Sequence, residues 1–400
     1  MIRARRLIAS ALLALVATAA SLAVLEVAFR LLMRGRGGAE DGAAEQYVEF
    51  DEILGWRKKP GAKVVFRRNE YVTEVWINGL GQRDRERVYD RHPGTFRVLA
   101  LGDSFLEGYT VPLPETLTQQ LEARLARQGC AVEVLNAGTA GYSTDQEYLF
   151  FKEEGWRYEP NLVALFFYYN DIQPTVEDNY FGRLKPRFVV SPDGSLRLKR
   201  DRLPPPVRRR VAAPAQAAPA SGSALLAWIE ERLKRGQPGL YQRLARLGLW
   251  GSLELARPRG DLGVYRREPP SWVEPAWHQV DALLRALKAD VEASGARLVL
   301  VYIPNPMEVS ERSRELTRLA YGMTDEDWDV ERVRRRLGKI AARERIVLVD
   351  LTPPLRSAEG GVTGPYLAID GHWNALGHRT AAEELERRLR AEALLPACAS

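Results

Sequence analysis

Cysteine and histidine are scarce in this sequence of 400 residues, which contains two cysteines and four histidines. Two cysteines exclude the dense disulfide framework of a small secreted protein. The sequence also lacks C-x-x-C and H-E-x-x-H spacings, a glycine-rich phosphate loop and a dinucleotide-binding fingerprint. We therefore expect that the protein holds no metal and needs no cofactor.

Long apolar runs are also missing, except for one near the beginning. Residues 7–25 are free of charge, and as a helix they would reach about 28 Å, close to the thickness of a bilayer's hydrocarbon core. A single run of this kind excludes a polytopic membrane protein. Arginines flank the run on both sides and nearly balance, and the free amino group favours a cytoplasmic N-terminus. We therefore expect residues 1–36 to anchor the chain in a bacterial inner membrane, with the rest in the periplasm. The alternative is a signal peptide with a small-residue cleavage site at 17–19, which would release a secreted protein.

The net charge of +6 is concentrated in this N-terminal segment. Residues 1–36 hold six arginines and one acid, Glu26, whereas the other 364 residues hold 52 bases and 51 acids. The net positive charge of that larger part is too small to attract nucleic acid. We therefore expect no nucleic-acid partner, and we assign the basic end to the membrane.

Two regions follow the predicted anchor. Residues 45–95 contain short runs with the alternation of half-buried strands, and they predict a β-rich lead-in whose core is too small to fold alone. Residues 96–400 predict a larger domain that is interrupted at 178–270, and we expect this insertion to be helical or disordered. The insertion comprises a basic run, an Ala/Pro/Ser tract and two short amphipathic patterns, at 197–210, 212–223, 225–235 and 240–247.

Five short, nearly continuous apolar runs in the larger domain are typical of buried parallel strands, whose sheet is covered by helices on both faces. These runs are at 96–101, 131–136, 162–168, 297–303 and 346–351. Helical patterns lie between or after them, at 116–128, 143–155, 272–294, 326–343 and 374–393. The alternation predicts a three-layer, doubly wound α/β domain around a mostly parallel five-stranded sheet of flavodoxin-like type. In such sheets the ligand crevice lies at the carboxyl ends of the strands.

Polar residues that suit acyl chemistry follow the first three of these strands. Ser104 comes directly after the first strand, where a tight turn into a helix would expose its hydroxyl and its backbone N–H. Gly141 follows the second strand, and a glycine lets a carbonyl oxygen approach a backbone N–H closely. Asn170 follows the third strand, and its amide could donate to the same oxygen.

A histidine with a nearby carboxylate follows the fifth strand. His92 lies in a charged part of the lead-in, while His278 and His378 fall within helical patterns. His372 alone lies in a loop after a strand with a carboxylate, Asp370, two residues away. Residues two apart in an extended segment project to the same side, so Asp370 can hold the tautomer of the ring and stabilise the imidazolium.

Together these four blocks, in this order, resemble the SGNH (GDSL-type) hydrolase family over roughly residues 96–393, with the insertion left out. The resemblance implies that Ser104 is the nucleophile and His372 the general base, oriented by Asp370. It also implies that the N–H groups of Ser104 and Gly141 and the amide of Asn170 form the oxyanion hole. In the lead-in, Leu54-Gly55-Trp56 and residues 78–84 look like the bacterial membrane-anchored members of the family.

The acid residue departs from the family pattern. The usual spacing places an aspartate three residues before the histidine, where this sequence has Ile369. The carboxylate then has to be Asp370, at the Asp-x-His-Trp spacing that resembles alginate O-acetyltransferase-type relatives. Asp171 and Asp350 are the alternative acids.

The expected activity is hydrolysis of short-chain acyl esters, acetyl first, through an acyl-serine intermediate, with acylated extracytoplasmic polysaccharide as a candidate substrate. Two other functions stay open: a polysaccharide O-acyltransferase that uses the same site, and a non-catalytic, membrane-anchored interaction module. Cys130 and Cys398 are both expected at the face of the sheet opposite the crevice, either as a disulfide or as two separate thiols.

Overall fold

The computed structural model describes most of the chain after residue 45. The described residues are 46–68, 70–199, 202–204, 260–321, 323–361, 364–368 and 370–398, together with 21–22, 24–29, Leu225 and Ile229. They fall into two compact units. The smaller unit is Met1–Ala39, Arg208–Arg257 and Leu319–Tyr321, in which residues 21–22 and 24–29 are helical. The larger unit is Glu40–Val207, Pro258–Arg318 and Gly322–Ser400, and it contains the central sheet and the candidate active site.

Several of the sequence predictions fall outside this description. Most of the predicted anchor, residues 1–36, lies outside the described residues, as does nearly all of 205–259. That stretch holds the Ala/Pro/Ser tract and the two short helical patterns, of which only Leu225 and Ile229 are described, both as helical. Within the described parts of the chain, no helix has both the length and the apolar composition needed to cross a membrane.

The lead-in forms two antiparallel hairpins, which join strands in the order of the chain. Its strands are β1 (Val48–Asp51), β2 (Gly55–Lys58), β3 (Lys63–Arg67) and β4 (Val72–Trp76). In the second hairpin, alternate residues of β3 and β4 point inward, as the period of two requires. Val64, Phe66 and Val75 form a small apolar core with Tyr47 and Ile77.

The larger domain has the predicted alternation of strands and helices. Its elements are β5 (Phe96–Leu101), α1 (Ser104–Glu107), α2 (Leu117–Arg127), β6 (Val132–Asn136), α3 (Thr144–Glu153), β7 (Leu162–Phe167), β8 (Asn179–Tyr180), β9 (Arg183–Leu184), β10 (Phe188–Val190), β11 (Leu196–Leu198), α4 (Val273–Ala293), β12 (Arg297–Tyr302), α5 (Pro306–Val309), α6 (Glu311–Tyr321), α7 (Arg332–Glu344), β13 (Val347–Asp350), α8 (Thr352–Ala358) and α9 (Ala375–Ala391).

Five of these strands form one parallel sheet in the order β13-β12-β7-β5-β6. Numbered along the chain, this is the flavodoxin-like order 2-1-3-4-5, so the strand order reverses between β5 and β7. All six residues of β7 are buried because helices cover both faces, with α2, α8 and α9 on one side and α3, α4 and α7 on the other. The predicted five-stranded α/β fold is confirmed, and its crevice lies at the carboxyl ends of β5 and β7.

The first described part of the insertion, residues 178–199, is not helical, contrary to the sequence prediction. Residues 179–198 form two short hairpins, β8–β9 and β10–β11. The second hairpin turns at Asp193-Gly194, where Gly194 has a φ of +82°. Aspartate followed by glycine is a common hairpin signal, and it was overlooked between strands of only three residues. Further along, Gly260–Tyr265 forms a 3-10 helix.

The predicted helix at 326–343 begins later than expected, at Arg332. Trp328 instead forms an antiparallel bridge with Arg266, and the residues on either side of it form turns rather than a helix. Tertiary pairing with the segment before α4 outweighs the local helical pattern here. The short helices α1, α5 and α8 and the longer α6 were not predicted.

Cys130 and Cys398 form a disulfide, with their Cα atoms 4.3 Å apart. Cys130 lies just before β6, and Cys398 follows the last helix. The bond therefore lies at the amino ends of the strands, opposite the crevice. Of the two alternatives that the sequence left open, a disulfide or two separate thiols, the structure shows the disulfide.

Candidate active site

Ser104 lies at a tight turn between β5 and α1. Asp103 caps this short helix, since its Oδ1 accepts a hydrogen bond of 2.9 Å from the backbone N–H of Phe105. The helix ends at Gly108, which adopts the left-handed conformation with a φ of +72°. As the first residue of the helix, Ser104 has a backbone N–H with no partner in its own helix. The turn therefore presents a hydroxyl and a free donor at the end of the strand.

His372 joins Ser104 to Asp370. Its Nε2 lies 2.8 Å from Ser104 Oγ, and its Nδ1 lies 2.5 Å from Asp370 Oδ1. An ionised carboxylate can only accept a hydrogen bond, so Nδ1 carries the ring proton. Nε2 is then free to accept a hydrogen bond from the hydroxyl of Ser104. The side chains of His372 and Asp370 are 21% and 19% exposed, which leaves the pair open to a small reactant.

Asp370 is held as an anion. Burial raises the pKa of its carboxyl, but hydrogen bonds from His372 and Tyr71 outweigh burial and bring the pKa below its ordinary value. The carboxylate is therefore charged at neutral pH, as a group that stabilises an imidazolium must be.

The two alternative acids lie elsewhere. Asp171 is buried after β7 and accepts from the backbone N–H of Tyr168. Asp350 pairs with Arg334 and accepts from the backbone N–H of Thr352. Neither carboxylate contacts His372, so Asp370 at the short Asp-x-His spacing is the one that the structure brings to the ring.

The loop 137–141 after β6 lies against α1. Thr139 donates from its backbone N–H to the carbonyl of Gly102, at 2.9 Å. Gly138 permits this approach, because a Cβ there would lie 2.5 Å from the backbone nitrogen of Glu107. Gly141 has a φ of +79°, and within the described part of the chain no acceptor takes its N–H. The loop thus offers a second free donor on the same side of the sheet as Ser104.

Asn170 lies beside the serine turn, in a 3-10 helix that follows β7. Its Nδ2 donates to Asp103 Oδ2 at 3.2 Å, which uses one of its two hydrogens. No donor among the described residues reaches its buried Oδ1. Asp103 itself is buried, and burial raises the pKa of its carboxyl. The remaining hydrogen of Nδ2 is available to a bound oxygen.

His378, which sequence reasoning set aside, has a structural place. It is buried beneath Trp373, and its Nδ1 accepts from the backbone N–H of Leu117 at 3.3 Å. Burial, with the charges of Arg83 and His372, lowers the pKa of His378 to about 3. This ring therefore stays neutral at physiological pH and takes no part in proton transfer.

The lead-in contacts the site, which the sequence does not indicate. Tyr71 donates from its hydroxyl to Asp370 Oδ2 at 3.1 Å, although 299 residues separate the two in the chain. Trp56 Nε1 donates to the carbonyl of Ala140 at 3.1 Å, and Lys58 Nζ donates to Thr139 Oγ1 at 2.7 Å. No local pattern signals contacts over such separations.

The arrangement supports acyl transfer and offers little to a metal. A hydroxyl, an imidazole and a carboxylate form one hydrogen-bonded chain, with backbone and amide donors nearby. Among the residues that the structure describes, no three histidine, cysteine, aspartate or glutamate side chains converge on a point where an ion could bind.

The model of the GDSL-like lipase/acylhydrolase family matches residues 100–380. This chain belongs to that family. It is an ester-hydrolysing SGNH enzyme, and the match spans every block that carries the site. No curated protein sequence matches the chain.

Solved structures similar to this enzyme share little sequence with it. One is a lipase/acylhydrolase from Enterococcus faecalis, with 13% identity, 74% of this chain and 96% of that chain covered, and a TM-score of 0.38. Another is an acetylxylan esterase from Geobacillus stearothermophilus, with 12% identity, 74% and 94% covered, and a TM-score of 0.37.

Proposed function

We propose that this SGNH enzyme hydrolyses short-chain acyl esters, acetyl first, through an acyl-serine intermediate. The observation that carries the proposal is the hydrogen-bonded chain from Ser104 through His372 to Asp370. It assigns the nucleophile, the general base and the group that orients the base.

The reaction runs in two steps. His372 Nε2 takes the proton of Ser104 as Oγ attacks the ester carbonyl, and the oxygen that becomes negative is stabilised by the N–H groups of Ser104 and Gly141 and by Asn170 Nδ2. His372 then returns the proton to the leaving alcohol, and the acyl group stays on Ser104. Water attacks the acyl-serine in the second step, with His372 again as base, and releases the carboxylic acid.

Acylated carbohydrate outside the cytoplasm is the substrate class we propose, with residues 1–36 as an inner-membrane anchor or, alternatively, a cleaved signal. The Cys130–Cys398 disulfide supports this location, because disulfides persist in oxidising compartments such as the periplasm. The site is also partly exposed, so an ester carried on a larger chain can reach it.

A second candidate is transfer of the acyl group to a sugar hydroxyl instead of water. The Asp-x-His-Trp spacing favours it, and the hydrogen bond between Asp370 of that element and the imidazole supports this reading. Product analysis with and without an acylatable sugar distinguishes the two functions, since transfer yields a new sugar ester at the expense of free acid. A non-catalytic module is disfavoured by the assembled triad.

We expect the full-length chain to cleave p-nitrophenyl esters with rates that fall as the acyl chain grows from acetyl to octanoyl. A sulfonyl fluoride should abolish this activity by sulfonylating one residue, Ser104, with loss of fluoride. Ser104→Ala should lose both activity and labelling.

Ser294→Ala is the matched control, because Ser294 lies near the amino end of β12, at the edge of the sheet opposite the crevice. It should keep both activity and labelling. Labelling of Ser104→Ala to the wild-type extent, or full activity of that variant, would contradict the proposal.

A further inference from the structure

Asp370 is fixed from two sides that belong to different parts of the chain. On one side its Oδ1 faces His372, accepting from Nδ1 and, at 3.3 Å, from the backbone N–H. On the other side its Oδ2 accepts from the hydroxyl of Tyr71 at 3.1 Å. The backbone N–H of Asp370 also donates to Glu70 Oε2 at 2.8 Å. Tyr71 and Glu70 both belong to the lead-in, directly before β4.

The lead-in's own core holds Tyr71 in place. The backbone carbonyl of Tyr71 accepts from the N–H of Arg68 at 2.9 Å, and this bond closes the β3–β4 hairpin. Its ring packs on that core beside Tyr109, whose ring stacks on Phe66 with centroids 5.2 Å apart. Tyr109 in turn lies against the ring of His372, with centroids 5.2 Å apart. The hydroxyl of Tyr71 is thus presented to the carboxylate by a rigid platform.

The loop that carries Asp370 is closed by backbone hydrogen bonds, from the N–H of Leu367 to the carbonyl of His372 at 2.8 Å and from the N–H of Gly371 to the carbonyl of Leu367 at 3.1 Å, but these bonds do not hold the carboxylate itself. Gly371, with a φ of +82°, makes the turn between the acid and His372. A carboxylate that rotates away from Nδ1 would let the ring take the wrong tautomer. A hydroxyl bound to the second oxygen opposes that rotation, because only one orientation of the carboxylate plane lets its two oxygens accept from both partners.

We propose that Tyr71 is a positioning residue of the active site: its hydroxyl fixes Asp370 so that Oδ1 faces His372. The β3–β4 hairpin, which holds Tyr71 in place, therefore contributes to catalysis. The proposal rests on the proposed function, and it concerns the orientation of the triad rather than contact with substrate. Its effect should therefore appear in turnover and in the hydrogen bond at Nδ1, and not in substrate binding.

Tyr148 provides a matched control elsewhere in the fold. Like Tyr71, it donates from its hydroxyl to an aspartate, Asp290 Oδ2, at 3.0 Å, in a hydrogen bond that is partly buried. Burial and the facing carboxylate raise the pKa of both phenols. Tyr148→Phe therefore removes a bond of the same kind from the face formed by α3 and α4, away from the triad.

Steady-state kinetics of the full-length chain form the first test. Tyr71→Phe should lower kcat for p-nitrophenyl acetate about tenfold with little change in KM, the size expected when part of a hydrogen bond to a charged group is lost from the transition state. Tyr148→Phe should change kcat less than about twofold, and both variants should unfold at similar temperatures. Equal kcat values for Tyr71→Phe and wild type would overturn the proposal.

Proton NMR of the same proteins gives a test that needs no substrate. The proton between His372 Nδ1 and Asp370 Oδ1 should give a far-downfield resonance that is absent from His372→Ala. Tyr71→Phe should shift or broaden it, and Tyr148→Phe should leave it unchanged. An unshifted resonance in Tyr71→Phe overturns the positioning role. Absence of any esterase activity in the wild type contradicts the proposed function instead, and the NMR result still decides the role of Tyr71.

Discussion

The serine turn depends on two polar side chains, Asp103 and Asn170, that hydrogen-bond to each other. Asp103 is buried, and it both caps α1 and accepts from Asn170. Because one hydrogen of the Asn170 amide is committed to Asp103, the other is fixed in direction. An oriented donor costs no reorganisation when charge develops on a substrate oxygen, and this is the property of an effective oxyanion hole.

Asn170→Ala should lower kcat about 100- to 1,000-fold, because one of the donors to the oxyanion is lost. The measurement is steady-state hydrolysis of p-nitrophenyl acetate, with thermal unfolding to show that the fold persists. Gln173→Ala is the control, since Gln173 lies in the next 3-10 helix and its amide donates to Glu177 at 2.8 Å. Near-normal turnover in Asn170→Ala would remove Asn170 from the oxyanion hole.

At the scale of elements, the site depends on how closely a loop approaches a helix. Loop 137–141 passes over α1 where Gly138 leaves no side chain between the two backbones. Lys58 and Trp56 of the lead-in bind the same loop from its other side. The position of Gly141 therefore depends on three segments that pack together, namely loop 137–141, α1 and the lead-in.

Gly138→Ala should destabilise the enzyme by about 1–3 kcal/mol and should also lower kcat, because the added methyl meets backbone and pushes the loop away from α1. Gly338→Ala is its counterpart in helix α7, where the nearest atom to a new Cβ is 3.8 Å away. That variant should gain about 0.5–1 kcal/mol and keep its activity. Denaturant unfolding and esterase assays of both variants measure these effects, and an unaffected Gly138→Ala would show that the loop tolerates the shift.

The elements themselves were largely predictable from sequence. The five strands of the central sheet were placed within one residue, because each is an apolar run between helical patterns. Helix α7 was placed six residues early, since the bridge between Trp328 and Arg266 depends on a partner 62 residues away. The hairpins of 179–198 were missed because strands of two or three residues carry too little periodicity.

Over the whole molecule, the residues that follow strand ends were predictable and those that support them were not. Ser104, Asn170 and His372 could be picked out because parallel strands bring their carboxyl ends together. Tyr71 could not, because its contact with Asp370 depends on how the lead-in packs against the rest of the larger unit. The disulfide also joins distant parts, Cys130 and Cys398, 268 residues apart.

Cys398→Ser should lower the free energy of unfolding by about 2–4 kcal/mol, because the disulfide closes a long loop and restricts the unfolded chain. Its kcat should match that of the wild type, since the bond lies at the amino ends of the strands. A reducing agent should destabilise the wild type by a similar amount and leave Cys398→Ser unchanged in denaturant unfolding. Equal stability of the two proteins without reductant would show that the bond contributes nothing.

The order of the triad along the chain affects the enzyme while it is being made. Ser104 leaves the ribosome 268 residues before His372, so for most of synthesis the hydroxyl lacks the imidazole that it contacts in the folded protein. The hydrogen bond between them can form only once the segment before α9 has been added and has docked against the β3–β4 hairpin.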